Sequence, residues 1–358
     1  MNELQQELKR EILSLCATMS VSGFEERGTE SLSDSLRPHF DKMITDAVGN
    51  HIFFKRCPQQ DAPTVLIDTH FDEIGMLVTE ICEGGFVRLA PIGGLSPSVL
   101  QAADVILYGK EPLRGVITST PPHLRGGGEK ELPSCEELMV DTGYPREELE
   151  KLISVGTPVG FAPMYGELLN GRLMGKSFDN KAPAAIAALA VIHTPKEKLA
   201  ANVALLFSSY EETSRLGGAT AGAFGVDPDY AMVIDVNLAK VPDTPTYETI
   251  ELGKGVSLSV SAATDRALTR HTQTLCETLE LPHTIIAAPS STGTNATAVQ
   301  LVRHGIPVVD VGLPLRSMHT YNEVIDLSDA EALYHLVQAF ICDQAIADRF
   351  GRKEELPC

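Results

Sequence analysis

The chain alternates short apolar strands with helices, and one long segment of closely spaced short strands breaks this alternation. Apolar runs at residues 64–68, 203–207 and 230–235 are typical of strands that are buried on both faces of an α/β sheet. Between Glu73 and Phe161, short strand-like pieces separated by Gly and Pro indicate a small β-barrel or sandwich. We therefore predict an α/β domain that a β-rich insert interrupts.

Periodicity and capping patterns predict the remaining elements. Leu4, Leu8, Ile12 and Leu15 have helical spacing, so the first element is a helix. Capping-box spacing predicts that a second helix begins at Ser22, with Glu25 as its partner, and that the closing helix begins at Ser328, with Glu331. Further helices are expected over residues 146–153, 182–192, 265–281, 293–303 and 328–346, and further strands over residues 51–54 and 307–311.

Charge and apolar content exclude several classes of protein. The formal net charge of −19 argues against a nucleic-acid partner, because phosphate binding needs a clustered basic surface. The longest apolar stretch, residues 184–192, is too short to cross a bilayer, so no membrane partner is expected. The seven cysteines are scattered and odd in number, which is typical of reduced thiols and favours a cytoplasmic protein.

Acids and histidines follow the predicted buried strands at four places. These places are residues 68–73, which include His70 and Asp72, the pair Glu211 and Glu212, the single Asp235, and residues 316–319, which end in His319. A fifth group, residues 177–181 with Asp179, precedes the alanine-rich helix. Because functional sites of open α/β sheets gather at the carboxyl ends of strands, we expect these side chains to converge.

Two histidines and several carboxylates suit zinc, cobalt or manganese better than calcium, which prefers oxygen ligands alone. One carboxylate that bridges two ions would give a pair of cations that jointly hold a hydroxide, and one of two adjacent glutamates could ligate while the other acts as base. Each motif alone also has a structural interpretation: Asp179 could cap a helix, and Glu211 and Glu212 could form a solvated face. Composition and spacing together indicate a metal-dependent hydrolase.

The order of the motifs resembles the di-metal aminopeptidase family that includes the tetrahedral (dodecameric) and glutamyl aminopeptidases. The segments that carry the resemblance are residues 22–25, 46–50, 70–75, 121–124, 176–179, 211–212, 225–229, 235–236, 293–296 and 314–319. They extend along nearly the whole chain. The resemblance implies a metal-dependent aminopeptidase that hydrolyses the N-terminal peptide bond of short peptides.

The family implies a role for each matching residue. Asp179 would bridge two divalent ions, Zn²⁺ or Co²⁺ with Mn²⁺ as an alternative. The metal ligands would be His70, Asp179, Glu212, Asp235 and His319, with His70 and Asp235 on one ion and Glu212 and His319 on the other. Glu211 would be the general base, and Asp72 would orient His70.

The same resemblance implies the architecture and the assembly. A three-layer α/β/α peptidase domain, residues 1–72 and 163–358, would be interrupted by a β-barrel dimerisation domain, residues 73–162. Dimers would assemble into a homo-oligomer of twelve subunits with interior active sites, which would limit substrates to short peptides.

The sequence departs from the family pattern at five positions close to the motifs. These are Asn180 and Asn295, where the family often has aspartate, Lys181 and Pro183, where arginine and glycine are common, and Ser317, where an aromatic residue is frequent. None of the five is an expected metal ligand or the expected base. The departures leave specificity and rate open.

Three other functions remain to be considered. Paired carboxylates also serve glycoside hydrolysis, but that chemistry gives His70 and His319 no role. A di-metal deacylase of small N-acyl compounds could use the same ions to attack an amide. A low-activity, metal-bound assembly protein is the third alternative, and the changes at Asn180 and Asn295 are the features that favour it.

Overall fold

The structure is a computed structural model that describes residues 1–119, 133–213, 215–245 and 249–351. The motif at residues 121–124 therefore lies outside the described residues, as does the last of the seven cysteines, Cys358. None of the helices in the described ranges combines the length and the apolar character that crossing a bilayer requires.

Strands and helices alternate along most of the chain. The strands are β1 (Lys42–Thr45), β2 (His51–Lys55), β3 (Thr64–His70), β4 (Gly75–Ile81), β5 (Val87–Ile92), β6 (Asp104–Tyr108), β7 (Pro112–Ile117), β8 (Met139–Asp141), β9 (Pro158–Phe161), β10 (Gly166–Leu168), β11 (Arg172–Gly175), β12 (Asn202–Ser208), β13 (Tyr230–Leu238), β14 (Val256–Ser261), β15 (His283–Ala288), β16 (Val308–Leu315) and β17 (Glu323–Asp326). The helices are α1 (Glu3–Cys16), α2 (Glu26–Leu36), α3 (Pro97–Leu100), α4 (Arg146–Leu152), α5 (Phe178–His193), α6 (Gly217–Val226), α7 (Arg266–Thr278), α8 (Ala296–Val299), α9 (Leu327–Cys342) and α10 (Gln344–Phe350).

An eight-stranded sheet with the order β1-β2-β12-β3-β13-β16-β14-β15 forms the middle layer of the larger part of the fold. Its four central strands, β12, β3, β13 and β16, are mutually parallel. Successive residues of β3 face opposite sides: Val65 and Ile67 pack in one apolar core with α1, α5 and α9, and Leu66 packs in another with α6 and α8. The predicted three-layer α/β/α arrangement is thereby confirmed.

The β-rich segment closes into a six-stranded barrel with the order β4-β5-β8-β7-β6-β9. Alternate residues of its strands fill the interior, among them Met76, Val78, Val105, Leu107 and Val159. This pattern of burial follows from the period of two along each strand. The predicted barrel within an α/β fold is therefore present, and a third, three-stranded sheet, β10-β11-β17, was not predicted.

Both predicted capping boxes are wrong. The helix expected from Ser22 begins at Glu26, because the backbone of Val21 forms a bridge with Glu73 and the amide of Ser22 donates to the Glu73 carbonyl. The closing helix is capped by Asp326, whose carboxylate accepts from the backbone amide of Ser328. Tertiary pairing and a stronger neighbouring cap override both local patterns.

The predicted helix lengths are also wrong in two places. The stretch 293–303 contains only the four-residue α8, and residues 328–346 divide into α9 and α10, because Asp343 caps a new helix by accepting from the amide of Ile346. Strands β14 and β15 and helix α6 were not predicted.

A buried charge cluster joins Glu73, just before β4, to Lys176, just before α5, and to Lys181 in the first turns of that helix. The carboxylate of Glu73 lies 2.5 Å from Nζ of Lys176 and 3.2 Å from Nζ of Lys181, and it also accepts from the hydroxyl of Ser177. Glu73 and both lysines are at least 98% buried. Burial would raise the pKa of Glu73, but the two ammonium groups lower it to about 2, so the carboxylate stays charged.

We predict that Glu73→Gln lowers the free energy of unfolding by about 3–5 kcal/mol, because it leaves two buried ammonium groups without a counter-charge. Chemical denaturation followed by circular dichroism measures this change. Asp104→Asn, which removes the exposed partner of Arg114, is the matched control and should cost less than about 1 kcal/mol. Equal losses for the two variants would contradict the prediction.

Candidate active site

The carboxyl ends of the parallel strands deliver most of the candidate residues to one cavity. His70 ends β3, Glu211 and Glu212 follow β12, Asp235 lies near the end of β13, and His319 follows β16. A sixth residue, Asp179, comes from the first turn of α5. The cavity has a volume of about 370 Å³, and all six side chains line it. The convergence expected at this edge of the sheet is therefore present.

The two carboxylate oxygens of Asp179 face two different histidines. Its Oδ1 lies 3.1 Å from Nε2 of His70, and its Oδ2 lies 3.4 Å from Nε2 of His319. Each histidine also faces a second carboxylate, since Asp235 lies 3.6 Å from Nε2 of His70 and Glu212 lies 3.3 Å from Nε2 of His319. The geometry is thus two groups of three that share Asp179.

Backbone carbonyls hold both imidazole rings in the orientation that this geometry needs. Nδ1 of His70 lies 3.0 Å from the carbonyl oxygen of Asp72, and Nδ1 of His319 lies 3.1 Å from that of Gly94. Because a carbonyl oxygen only accepts, each Nδ1 is the protonated nitrogen, and the lone pair of each neutral ring lies on Nε2. Gly94 follows barrel strand β5, and a Cβ there would meet the His319 ring at 2.6 Å.

Asp72 contacts the site in two ways. Its backbone carbonyl accepts from His70, and its carboxylate lies 3.5 Å from the same Nδ1. The two carboxylate oxygens also accept from the backbone amides of Glu211 and Glu212, each at 3.1 Å. Asp72 therefore fixes the main chain of the glutamate pair as well as the ring of His70.

Glu323 makes the equivalent pair of contacts on the other side of the site. Its Oε2 accepts from the backbone amide of Asp179 at 3.1 Å, and its Oε1 accepts from that of His319 at 3.2 Å. The side chain is almost fully buried. Glu323 is not among the residues expected from the sequence, because a glutamate four positions after a histidine carries no signal of its own.

Crowding of buried carboxylates changes the pKa values throughout the cluster. Burial raises the pKa of Glu211 to about 9 and that of Glu212 to about 7, and neighbouring carboxylates add to both shifts. Hydrogen bonds to Asp179 and Glu212 raise the pKa of His319 to about 11. Burial opposes protonation of His70, yet Asp235 and Asp179 raise its pKa well above the usual range. The cluster therefore favours added positive charge.

The spacing of these atoms fits small divalent cations. Ligands at about 2.0–2.1 Å from a tetrahedral ion lie about 3.3–3.4 Å from one another, close to the separations between the histidine nitrogens and the carboxylate oxygens. His70, Asp179 and Glu212 each place one ligand atom within 4.8 Å of the other two. Oε1 of Glu212 is buried and has no hydrogen-bond partner among the described residues. The donor set of imidazole and carboxylate suits zinc, cobalt or manganese.

Three of the five residues that depart from the family pattern form hydrogen bonds with the structure that supports the site. The amide of Asn180 donates to the carbonyl of Ile234, and the amide of Asn295 donates to the hydroxyl of Ser208. Lys181 donates to the carbonyl of Thr18 and belongs to the Glu73 cluster. Pro183 is buried in α5, and Ser317 is exposed with a left-handed φ of 59°.

Known proteins are similar to this chain in sequence over most of its length. The chain matches the M42 glutamyl aminopeptidase family over residues 49–336. It is 31% identical to the lysyl aminopeptidase of Pyrococcus furiosus over 333 residues, which cover 90% of this chain and 93% of that relative.

Two solved structures are similar over nearly their full length. An aminopeptidase from the archaeon Desulfurococcus kamchatkensis has a TM-score of 0.90 at 27% identity, covering 97% of this chain and 98% of that one. A Pyrococcus horikoshii peptidase that can assemble into a tetrahedron or a large octahedral shell has a TM-score of 0.79 at 26% identity, covering 93% and 99%. With the family match across most of the sequence, these findings show that the chain belongs to the M42 glutamyl aminopeptidase family and is an aminopeptidase, a hydrolase of peptide bonds.

Proposed function

We propose that this aminopeptidase is metal-dependent and removes the N-terminal residue of short peptides with two divalent cations bound per subunit. The observation that carries the proposal is Asp179, whose two oxygens each face a different histidine at 3.1 and 3.4 Å. The metal ligands would be His70, Asp179 and Asp235 for one ion and His319, Asp179 and Glu212 for the other. Zinc or cobalt, with manganese as an alternative, would supply Lewis-acid activation of a water molecule and of the peptide carbonyl.

Glu211 is the general base in this proposal. Its Oε2 lies 3.9 Å from Nε2 of His70, at the edge of the cluster and on the wall of the cavity. Its neighbour Glu212 is turned to His319, so the two glutamates have different surroundings. Two bound cations would lower the raised pKa of Glu211, so that its carboxylate would take a proton from the attacking water and pass it to the leaving amine, which balances the hydrolysis of one peptide bond. Asp72, through its bonds to both glutamate amides, would hold the base in place.

We further propose that the barrel, within residues 73–162, is a dimerisation domain inserted between catalytic residues 1–72 and 163–358. The Pyrococcus horikoshii relative that forms a tetrahedron or an octahedral shell supports a homo-oligomer here, with dimers that assemble into a dodecamer. An assembly with interior sites would restrict substrates to short peptides. We propose the cytoplasm as its location, on the basis of the scattered cysteines.

Removal of bound metal tests the function directly. We expect dialysis against a chelator to abolish release of N-terminal residues from a peptide mixture, and zinc, cobalt or manganese to restore it, because in this proposal Glu211 acts on a water molecule that the two cations activate. Mass spectrometry of the products from free and N-acetylated peptides measures the outcome. Activity that survives full metal removal would contradict the proposal, and cleavage of acetylated peptides alone would instead favour a deacylase.

The two adjacent glutamates should respond differently to the same substitution. Glu211→Gln is expected to lower kcat by about 10²-fold or more while metal content stays unchanged, because it removes the proton acceptor and no ligand. Glu212→Gln should lower metal content, because it removes a carboxylate oxygen 3.3 Å from His319. Kinetics together with elemental analysis of dialysed protein separate the two roles. Metal loss in Glu211→Gln with retention in Glu212→Gln would reverse the assignment.

Glu323→Gln should weaken metal binding by about 10–100-fold without contacting the metal in this proposal. Two backbone amides donate to Glu323, and glutamine offers only one acceptor oxygen and turns an NH₂ group against the other amide. Titration of the apoprotein with Co²⁺, followed by absorption spectroscopy, measures the change. The control is Glu251→Gln, at an exposed carboxylate paired with Lys240. An unchanged cobalt titration in Glu323→Gln would refute the positioning role.

A further inference from the structure

We propose that the site prefers N-terminal residues with neutral, apolar side chains of the leucine and methionine kind, and that Leu238 and Met318 determine this preference. The inference rests on the proposed aminopeptidase function and adds the class of residue that is released. Both side chains line the same 370 Å³ cavity as the candidate catalytic cluster.

The part of the cavity wall outside the cluster carries no charged side chain among the described residues. Apart from two glycines, it consists of Val236, Asn237, Leu238, Thr292, Thr294 and Met318. Val236, Asn237 and Leu238 come directly after Asp235 on β13, and Met318 directly precedes His319. The wall is therefore adjacent to the candidate metal ligands along the chain, where the first side chain of a bound peptide would lie.

The polar groups of this wall already have partners. The amide of Asn237 donates to Ser257 at 3.3 Å, and its oxygen accepts from the backbone amide of Leu238 at 2.8 Å. The hydroxyls of Thr292 and Thr294 lie 2.9 Å apart, and Thr294 also donates to Asp310. What remains to contact a substrate side chain is mostly the apolar surface of Leu238, Met318 and Val236.

Leu238 is the last residue of the central strand β13, and it is 48% exposed at the edge of the sheet where the cluster lies. Met318 is half-buried and packs against the main apolar core with one side while it lines the cavity with another. Burying an apolar substrate side chain against such a surface is favourable, at about 25 cal/mol per Å² of apolar area removed from water. Methionine also adapts its shape to the ligand that it contacts.

Arg316 and Lys240 lie two residues from Met318 and Leu238 along the chain, and both have partners that do not line the cavity. Nε of Arg316 donates to the carbonyl of Lys240 at 2.9 Å, and Nζ of Lys240 lies 3.5 Å from Glu251. The four carboxylates of the cluster face the two histidine rings at 3.1–3.9 Å. A lysine or glutamate side chain placed against Leu238 and Met318 would therefore lose water and meet no charged partner among the described residues of this wall, which is costly.

The first experiment compares kcat/KM of the metal-loaded enzyme for Leu-, Met-, Lys- and Glu-para-nitroanilide under one set of conditions. We expect values for Leu and Met at least about tenfold above those for Lys and Glu, which is the scale that a difference in pocket contacts supports. A preference for Lys or Glu would overturn this inference and leave the aminopeptidase function intact. If the enzyme releases no amino acid from any of the four anilides or from peptides with free N-termini, both the proposed function and this inference are wrong.

The second experiment changes the charge of the wall. Leu238→Asp should raise the ratio of kcat/KM for the Lys anilide to that for the Leu anilide by about tenfold or more. Leu238→Lys should raise the ratio of kcat/KM for the Glu anilide to that for the Leu anilide by a similar factor. The matched control is Val241→Asp, which adds the same charge at an exposed position three residues further along that does not line the cavity. Equal shifts at positions 238 and 241 would show a general field effect and overturn the role of Leu238.

Discussion

The arrangement of the site depends on one shared carboxylate. Asp179 directs one oxygen to His70 and the other to His319, and these two rings come from distant parts of the sequence. Four carboxylates are thereby brought into one largely buried volume, where like charges repel and water cannot screen them fully. The two imidazoles supply positive charge when protonated, and two cations would supply more. Burying so much negative charge costs folding free energy unless bound cations compensate it.

Two further carboxylates hold this cluster together through the main chain. Asp72 accepts from the amides of Glu211 and Glu212, and Glu323 accepts from the amides of Asp179 and His319. A carboxylate with two acceptor oxygens suits two converging N–H groups, and burial strengthens each bond. Glu211, Glu212 and His319 are therefore held by hydrogen bonds although they lie outside regular structure.

The sequence was informative where the chemistry is local. Apolar runs of strand length indicated the central strands, and polar residues at their ends pointed to His70, Asp235 and the glutamate pair, which do lie together in the structure. Contacts between distant segments were not predictable. Glu323 is recognisable only through its hydrogen-bond partners. The backbone amide of Ser22 donates to Glu73, which is distant in sequence, and this bond displaces the expected start of the helix. The short α8 begins only after the loop that carries Thr292 and Thr294.

The carbonyl of Gly94 belongs to the barrel, yet it orients the ring of His319 in the α/β part of the fold. Among the described residues, this hydrogen bond connects the β-rich insert to the reactive cluster. If barrels of neighbouring subunits form an interface, a shift of the barrel there would move the carbonyl of Gly94 and, through this hydrogen bond, the ring of His319. The packing of subunits would then affect the rate of turnover. Sequence changes in the insert would be limited to those that keep the His319 ring in position.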